Sequence, residues 1–344
     1  MFLLHKSSFL TFFFLVLLLS VATETTAQDH YCLVFWNVEN LYDIWDDPVT
    51  DDDAFTPDGD NHWSRSRYDR KLRAIYKTIA ALGNVGDSFS MPAVIGLAEV
   101  ENDKALRDLC KGTPLRKYDY DFIHYDSPDR RGIDNALLYR PSLFRPYFSR
   151  PVNVSDSSAD FFTRDILHVE GVTASGDTLV LLVCHLPSKR GGNTADERRV
   201  TVAGFLGGLM DSLRIAHPSA AIVVMGDFNS GPGEHVMKNV LMNGRESNFV
   251  NLMERLPSGA GTYKFRNNWE YLDQMVVSRN LCAPYSGPLM ASDASVFRAP
   301  FLLLNDLKNM GKKVNRTFLG PRYMGGYSDH LPVYMQLIRL KESD

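Results

Sequence analysis

Ala221-Ile222-Val223-Val224-Met225-Gly226-Asp227-Phe228-Asn229-Ser230 is an apolar run of strand length that ends flush against an acid, an aromatic ring and an amide. β-Branched and apolar side chains over Ala221–Met225 predict a buried strand. Asp227 and Asn229 alternate with Phe228 and so leave the strand end on the same side. Polar groups seldom stand against a buried strand unless they are paired or bind something. Taken alone, the Gly-Asp-Phe-Asn piece reads equally well as a turn.

The same pattern recurs on both sides of this stretch. Upstream, Leu179–Cys184 runs into His185-Leu186-Pro187, and Val200, Ala203, Leu206, Leu209 and Leu213 then recur at helical spacing. Earlier still, Tyr31–Trp36 runs into Asn37-Val38-Glu39-Asn40, and Ala93–Ala98 runs into Glu99-Val100-Glu101. Tyr68, Leu72, Ile75, Ile79 and Leu82 mark a helix between those two strands. Downstream, Tyr271–Val277 contains Asp273, and Ser328-Asp329-His330 precedes Leu331–Leu337. Strand–helix–strand therefore appears twice, which predicts a two-half α/β architecture with strand ends meeting at one site. Asp43–Asp60 reads as an exposed acidic loop, and residues 285–327 as a long irregular rim rich in Gly, Pro and basic residues.

Composition narrows the class. The chain has 344 residues, 37 basic and 41 acidic side chains, 44% hydrophobic and 23% charged residues. These values exclude a disordered, collagenous or multi-span membrane protein. A net charge of −4 gives no whole-molecule field for polyanions, so any nucleic-acid contact must be local. Residues 1–27 carry Lys6, an apolar run from Phe9 to Val21 and the small residues Thr25-Thr26-Ala27. They read as a secretory signal peptide that exports the chain to the periplasm, cell surface or medium. Residues 28–344 then form a single domain with no stable membrane span and no protein partner indicated. Cys32, Cys110, Cys184 and Cys282 read as structural residues with pairing open, and no Cys/His spacing indicates zinc.

The ordered set of strand-end residues resembles the endonuclease/exonuclease/phosphatase superfamily, which includes DNase I, exonuclease III-type nucleases, sphingomyelinases and inositol-polyphosphate 5-phosphatases. The resemblance runs from about Tyr31 to Leu337. Arg131–Arg140 and His185–Lys189 are most similar to exported bacterial nuclease-like members. It implies an α/β (α+β) fold: a DNase I-like four-layer α/β/β/α sandwich, two mixed sheets face to face with outer helices. It also implies phosphate-ester hydrolysis with a divalent ion that absorbs charge on non-bridging oxygens. Hard oxygen ligands suit Mg²⁺, or Mn²⁺ or Ca²⁺.

In that scheme Glu99 is the principal metal ligand, with Asn37 and Asp329 beside it. Asp227 and Asn229 orient and deprotonate water and hold a phosphate oxygen. His185 and His330 donate to the phosphate, one of them as general acid, and Asp273 partners His330. Arg131 and Ile133 stand where DNase I-like members carry a phosphate-contacting Tyr and an acidic partner for the first His. Arg131 is thus a candidate phosphate clamp, and His185 is left with Asp134, Glu101 or no partner.

Three functions follow. The first is a metal-dependent nuclease on DNA or RNA, with Arg130, Arg131, Arg140, Lys189, Arg190, Arg198, Arg199 and Lys308–Arg322 tracking a phosphate backbone. The second is a phosphatase or phosphodiesterase on a small or lipid substrate, sphingomyelinase-like or inositol-phosphate-like. Phe297, Phe301, Leu302, Leu303 and Leu304 would be its interface loop, unless that run is buried. The third is a non-catalytic surface-binding protein on the same fold.

Overall fold

Alternation along the first strand, β1 (His30–Leu41), sets up the layers. Leu33 and Phe35 face one core while Val34, Trp36 and Val38 face another, and all five are fully buried. Burial on both faces is why this strand reads as a continuous apolar run. The computed structural model describes residues 30–86, 88–190, 192–283 and 287–340. The leader expected over residues 1–27 lies outside them.

Two large sheets organise the chain. One contains β1, β2 (Val94–Val100), β3 (Asp121–His124), β4 (Asp134–Tyr139), and three late strands. The second contains β5 (Phe144–Val152), β6 (Ile166–Thr173), β7 (Thr178–His185), β8 (Ala221–Asp227) and β9 (Phe249–Asn251). A short ribbon, β10 (Tyr263–Phe265) with β11 (Asn268–Glu270), precedes β12 (Asp273–Ser278), which returns to the second sheet. Then follow β13 (Leu289–Ala291), β14 (Ser295–Val296), the ribbons β15 (Leu303–Asn305) with β16 (Lys312–Val314) and β17 (Phe318–Leu319) with β18 (Arg322–Tyr323), and β19 (Val333–Arg339). The orders are β13-β19-β1-β2-β4-β3, with β14 also on β19, and β5-β6-β7-β8-β12-β9.

β1/β2 and β7/β8 are the parallel pairs, and the other pairings are antiparallel. Each parallel pair is joined through a helix, as such pairs require: α1 (Arg65–Leu82) in the first case, α3 (Asn193–Ala216) in the second. Leu33, Phe35, Leu181, Val183, Val223, Met225 and Met275 fill the space between the sheets. Tyr68, Leu72, Ile75 and Ile79 of α1 cover one outer face with Leu106 and Leu109 of α2 (Asp103–Gly112). Val202, Ala203, Leu206 and Met210 of α3 cover the other against Leu182 and Val224. These are the four layers expected. At Gly226 a side chain would collide with the carbonyl oxygen and Sγ of Cys184, so only glycine lets β7 and β8 close at the site.

Several expectations need correction. Asp43–Asp60 is not simply solvated: Asp43 and Asp52 are buried, and the Asp52 carboxylate accepts the Asp47 amide. Of the stretch expected to be irregular over 285–327, the described residues 287–327 carry short paired strands. Leu302 is buried, and Phe297, Phe301 and Leu303 pack with it against Val314 and Leu331, which removes most of the expected interface loop. All four cysteines are buried and unpaired, and burial pushes the thiols of Cys32 and Cys110 up to about 12. Among the described residues no helix is long and apolar enough to cross a membrane.

Candidate active site

The inter-sheet face turns polar at one end. Continuing the inward positions of β1, β7, β8 and β12 leads to Asn37, His185, Asp227 and Asp273. His185 and Asp273 are the direct cross-strand neighbours of Asp227, one on each side. Asn37 bridges the two sheets, its Nδ2 donating to Asp227 Oδ2 at 3.1 Å and to Glu99 Oε1 at 3.2 Å. Regular pairing breaks just here. Glu39, Asn40 and Glu99 adopt φ of 54°, 59° and 65°, and the β1/β2 register shifts between Asn37 and Leu41. Left-handed backbone in residues other than glycine is costly and concentrates at functional sites. It lets the Asn40 amide donate to Glu99 Oε2 at 2.9 Å.

His330 completes the cluster. Its Nδ1 lies 2.7 Å from Asp273 Oδ2 and its Nε2 3.7 Å from Asp227 Oδ2, so the partner expected for this histidine is in contact with it. The Tyr263 ring lies over the imidazole, with centroids 5.0 Å apart. Burial alone would lower the affinity of His330 for a proton. The carboxylates of Asp273 and Asp227 outweigh that and hold its pKa well above the ordinary value. His185 behaves oppositely. Burial, and then the cations Arg164 and Arg131, hold it well below the ordinary value. Burial raises Asp227, against the pull of His330. Two imidazoles whose affinities for a proton are pushed in opposite directions thus flank one buried acid. Environments that separate such groups are how a site assigns acid and base roles.

Asn229, at φ 49°, donates its amide to Asp227 Oδ1 at 2.9 Å and its Nδ2 to the Leu186 carbonyl. Neither carboxylate considered for His185 reaches it. Asp134 is taken by the Ser127 amide and lies 3.4 Å from His124, while Glu101 accepts the Asp43 amide. His185 Nδ1 has no hydrogen-bond partner, and Nε2 lies 3.5 Å from Asp227. Arg131 lines the cavity, half-exposed, with Nε 3.3 Å from Asp129. Asp329 is held by Arg316 at 2.8 Å.

Sequence reasoning left three contributors without roles and gave a fourth, Arg316, a different one, within the basic stretch Lys308–Arg322. Buried Arg164 spans Asp129 and the carbonyls of His185 and Leu186, fixing the end of β7. Glu39 accepts the amides of Thr317 and Phe318, Arg316 holds Asp329, and Tyr263 covers His330. Glu39 stood in a quoted motif and Arg316 in that basic stretch; Arg164 and Tyr263 carry no periodicity or spacing that would mark them.

A cavity of about 720 Å³ gathers Glu99, Asp329, Asp227, Asn229, His185 and His330. Glu99 and Asp329 both line it, and carboxylate oxygens are the hard donors that suit a divalent ion of the Mg²⁺ type. Asn37, also expected as a ligand, gives its oxygen to the Glu39 amide and turns its nitrogen to the carboxylates, so it cross-links them. Asp227, Asp273 and His330 form another group whose donor atoms lie within 4.8 Å of one another.

Comparison with known proteins bears on the same elements. No curated protein matches the chain. D. rerio TDP2, solved with a single-strand DNA product, is 15% identical, with TM-score 0.57 over 90% of this chain and 99% of that one. An endonuclease/exonuclease/phosphatase family protein from Bacteroides thetaiotaomicron is 14% identical, with TM-score 0.57 over 92% of this chain and 100% of that one. A mannosyl-6-phosphatase from B. thetaiotaomicron VPI-5482 is 16% identical, with TM-score 0.55 over 89% and 99%. At such identities the likeness speaks for the fold. Residues 32–339, from β1 to the end of β19 and so through every strand end that feeds the cavity, match the profile of the Endonuclease/Exonuclease/phosphatase family, and the chain belongs to that family.

Proposed function

We propose that this chain is an exported, divalent-metal-dependent phosphoric ester hydrolase that cleaves nucleic-acid phosphodiesters. One observation carries the reading: Asn37 ties Asp227 and Glu99 together across the two sheets, beside a His330–Asp273 pair. In this scheme Asp227 accepts a proton from the attacking water, whose oxygen bonds to phosphorus. Neutral His185 and Asn229 donate to phosphate oxygens. Protonated His330 gives a proton to the departing oxygen as its bond to phosphorus breaks, and Asp273 keeps the ring oriented. A divalent ion held by Glu99 and Asp329, Mg²⁺ or else Mn²⁺ or Ca²⁺, would supply charge for the non-bridging oxygens.

A second reading, a compact phosphate ester as substrate, is favoured by the pairing of the basic side chains. Lys189 lies 2.7 Å from both Glu234 and Glu270, Arg316 is held by Asp329, and Arg130 and Arg199 pair with Asp160 and Asp196. Cations already neutralised track a polyphosphate backbone less well.

The deciding experiment is a Mg²⁺ titration against plasmid DNA, single-stranded RNA and a sugar phosphate, each at low and physiological salt. Cleavage of nucleic acid that falls steeply with salt is expected. Salt-indifferent turnover of the sugar phosphate with intact nucleic acid moves the assignment to the second reading. No turnover of any substrate overturns both. Export is tested by the mass of the chain recovered outside the cytoplasm, expected to begin near Gln28; a full-length mass refutes cleavage.

A further inference from the structure

The connection between β3 and β4 gathers a second set of donors away from the catalytic cluster. His124 ends β3, Asp134 opens β4 and Asp126 lies between them, with one donor atom from each within 4.8 Å of the others. The His124 side chain is only 2% exposed. Its Nδ1 lies 3.0 Å from Asp103 Oδ1, on the first residue of α2. Its Nε2 is buried, makes no hydrogen bond, and faces Asp134 Oδ2 at 3.4 Å. A buried ring nitrogen left without a bond is unfavourable. Asp126 Oδ1 lies 4.0 Å from the same ring, on the Nδ1 side. A histidine with one nitrogen fixed by a carboxylate and the other facing an acid without a hydrogen bond has the arrangement of a metal ligand with its orienting partner.

Asp126 and Asp134 also line a second cavity, of about 610 Å³. The turn at residues 129–132 separates the two cavities: Asp129, Arg130 and Gly132 line this one, and Arg131 lines the active-site cavity.

We propose that His124, Asp126 and Asp134 bind a Zn²⁺-type divalent ion at a site separate from the catalytic centre. One imidazole and two carboxylates suit zinc, whereas Mg²⁺ and Ca²⁺ prefer oxygen donors throughout. An ion there would tie the two ends of the hairpin that carries Asp129 and Arg131, fixing Arg131 at the rim of the active site. The site holds its ion whatever the substrate is, so its test does not depend on the hydrolase reading.

Full-length chain stripped by chelator is dialysed against micromolar Zn²⁺, its metal content is measured by atomic emission, and its fold is followed by circular dichroism. Wild type is expected to retain one Zn²⁺ more than His124→Gln or Asp126→Asn. Asp126 is 89% exposed, so the second variant keeps the test valid even where the first folds poorly. Asp103→Asn is expected to weaken Zn²⁺ binding about 10- to 100-fold, the usual effect of removing an orienting partner. Equal zinc content in wild type, His124→Gln and Asp126→Asn overturns the proposal and leaves His124 as an ion-paired imidazolium.

Discussion

Asp227→Asn is expected to lower kcat for phosphate-ester hydrolysis by about 10²–10⁴ while the urea midpoint stays level or rises. Asp227 is 1% exposed and is the residue on which both sheets converge. Its Oδ1 takes the Asn229 amide and its Oδ2 the Asn37 side chain, with His185 and His330 at 3.5 and 3.7 Å. An amide of the same shape keeps one of the two hydrogen bonds, since only its oxygen accepts, and cannot take a proton from water. It also relieves a buried charge that sits next to Asp273, and burying charge is costly. Loss of activity with retained or improved stability is the signature of a group kept for chemistry rather than for packing. His330→Gln provides the comparison, since it also leaves Asp273 as a buried acid without its partner. An Asp227→Asn enzyme working within tenfold of wild type would remove this residue from the reaction.

The site was legible in the sequence to the extent that it lies at the ends of fully buried strands. β1, β2, β7 and β8 are apolar up to their ends and β12 is apolar beyond its start, so the polar residue at each of those ends stands out, and those residues do meet. What stayed hidden follows from physics as well. β5 contains Pro146 and Pro151 and lies at a sheet edge, where proline is tolerated but reads as loop. β6 conceals a buried His168–Glu170 pair at 3.1 Å, so its polar residues break the apolar pattern. Glu99 and Glu39 reach their positions through left-handed backbone, which the identity of glutamate does not forecast. The partners of basic residues were equally unreadable. Arg131–Asp129 is local, but Arg164 serves β7 from a polar connection, and Lys189 meets acids 45 and 81 residues away.

The largest effect on stability is expected at Lys71, which touches no part of the reaction. Lys71 lies on α1, is 1% exposed, and donates to Thr317 Oγ1 at 2.6 Å and the Tyr327 carbonyl at 2.7 Å. Glu39 grips the same segment from the other side through the Thr317 and Phe318 amides, and Arg316 links Glu39 to Asp329. Burial lowers the pKa of Lys71 and raises that of Glu39, and each charge partly offsets the penalty on the other. Lys71→Ala removes one member of this set, leaving Glu39 with Arg316 as its cation and the Thr317 hydroxyl and Tyr327 carbonyl without their donor. Such a change typically costs about 3–5 kcal/mol, read as a fall in unfolding free energy in urea. Thr317→Ala, which gives up a hydrogen bond but no charge, should cost only about 1 kcal/mol. Combining Lys71→Met with Glu39→Gln removes both buried charges and should recover much of the single-variant loss. Because the pinned segment leads directly into Asp329 and His330, Lys71→Ala should also lower kcat in chains that remain folded. A Lys71→Ala protein as stable as the Thr317→Ala one would mean that the segment is held by packing alone, and that the buried charges of Lys71 and Glu39 do not anchor it.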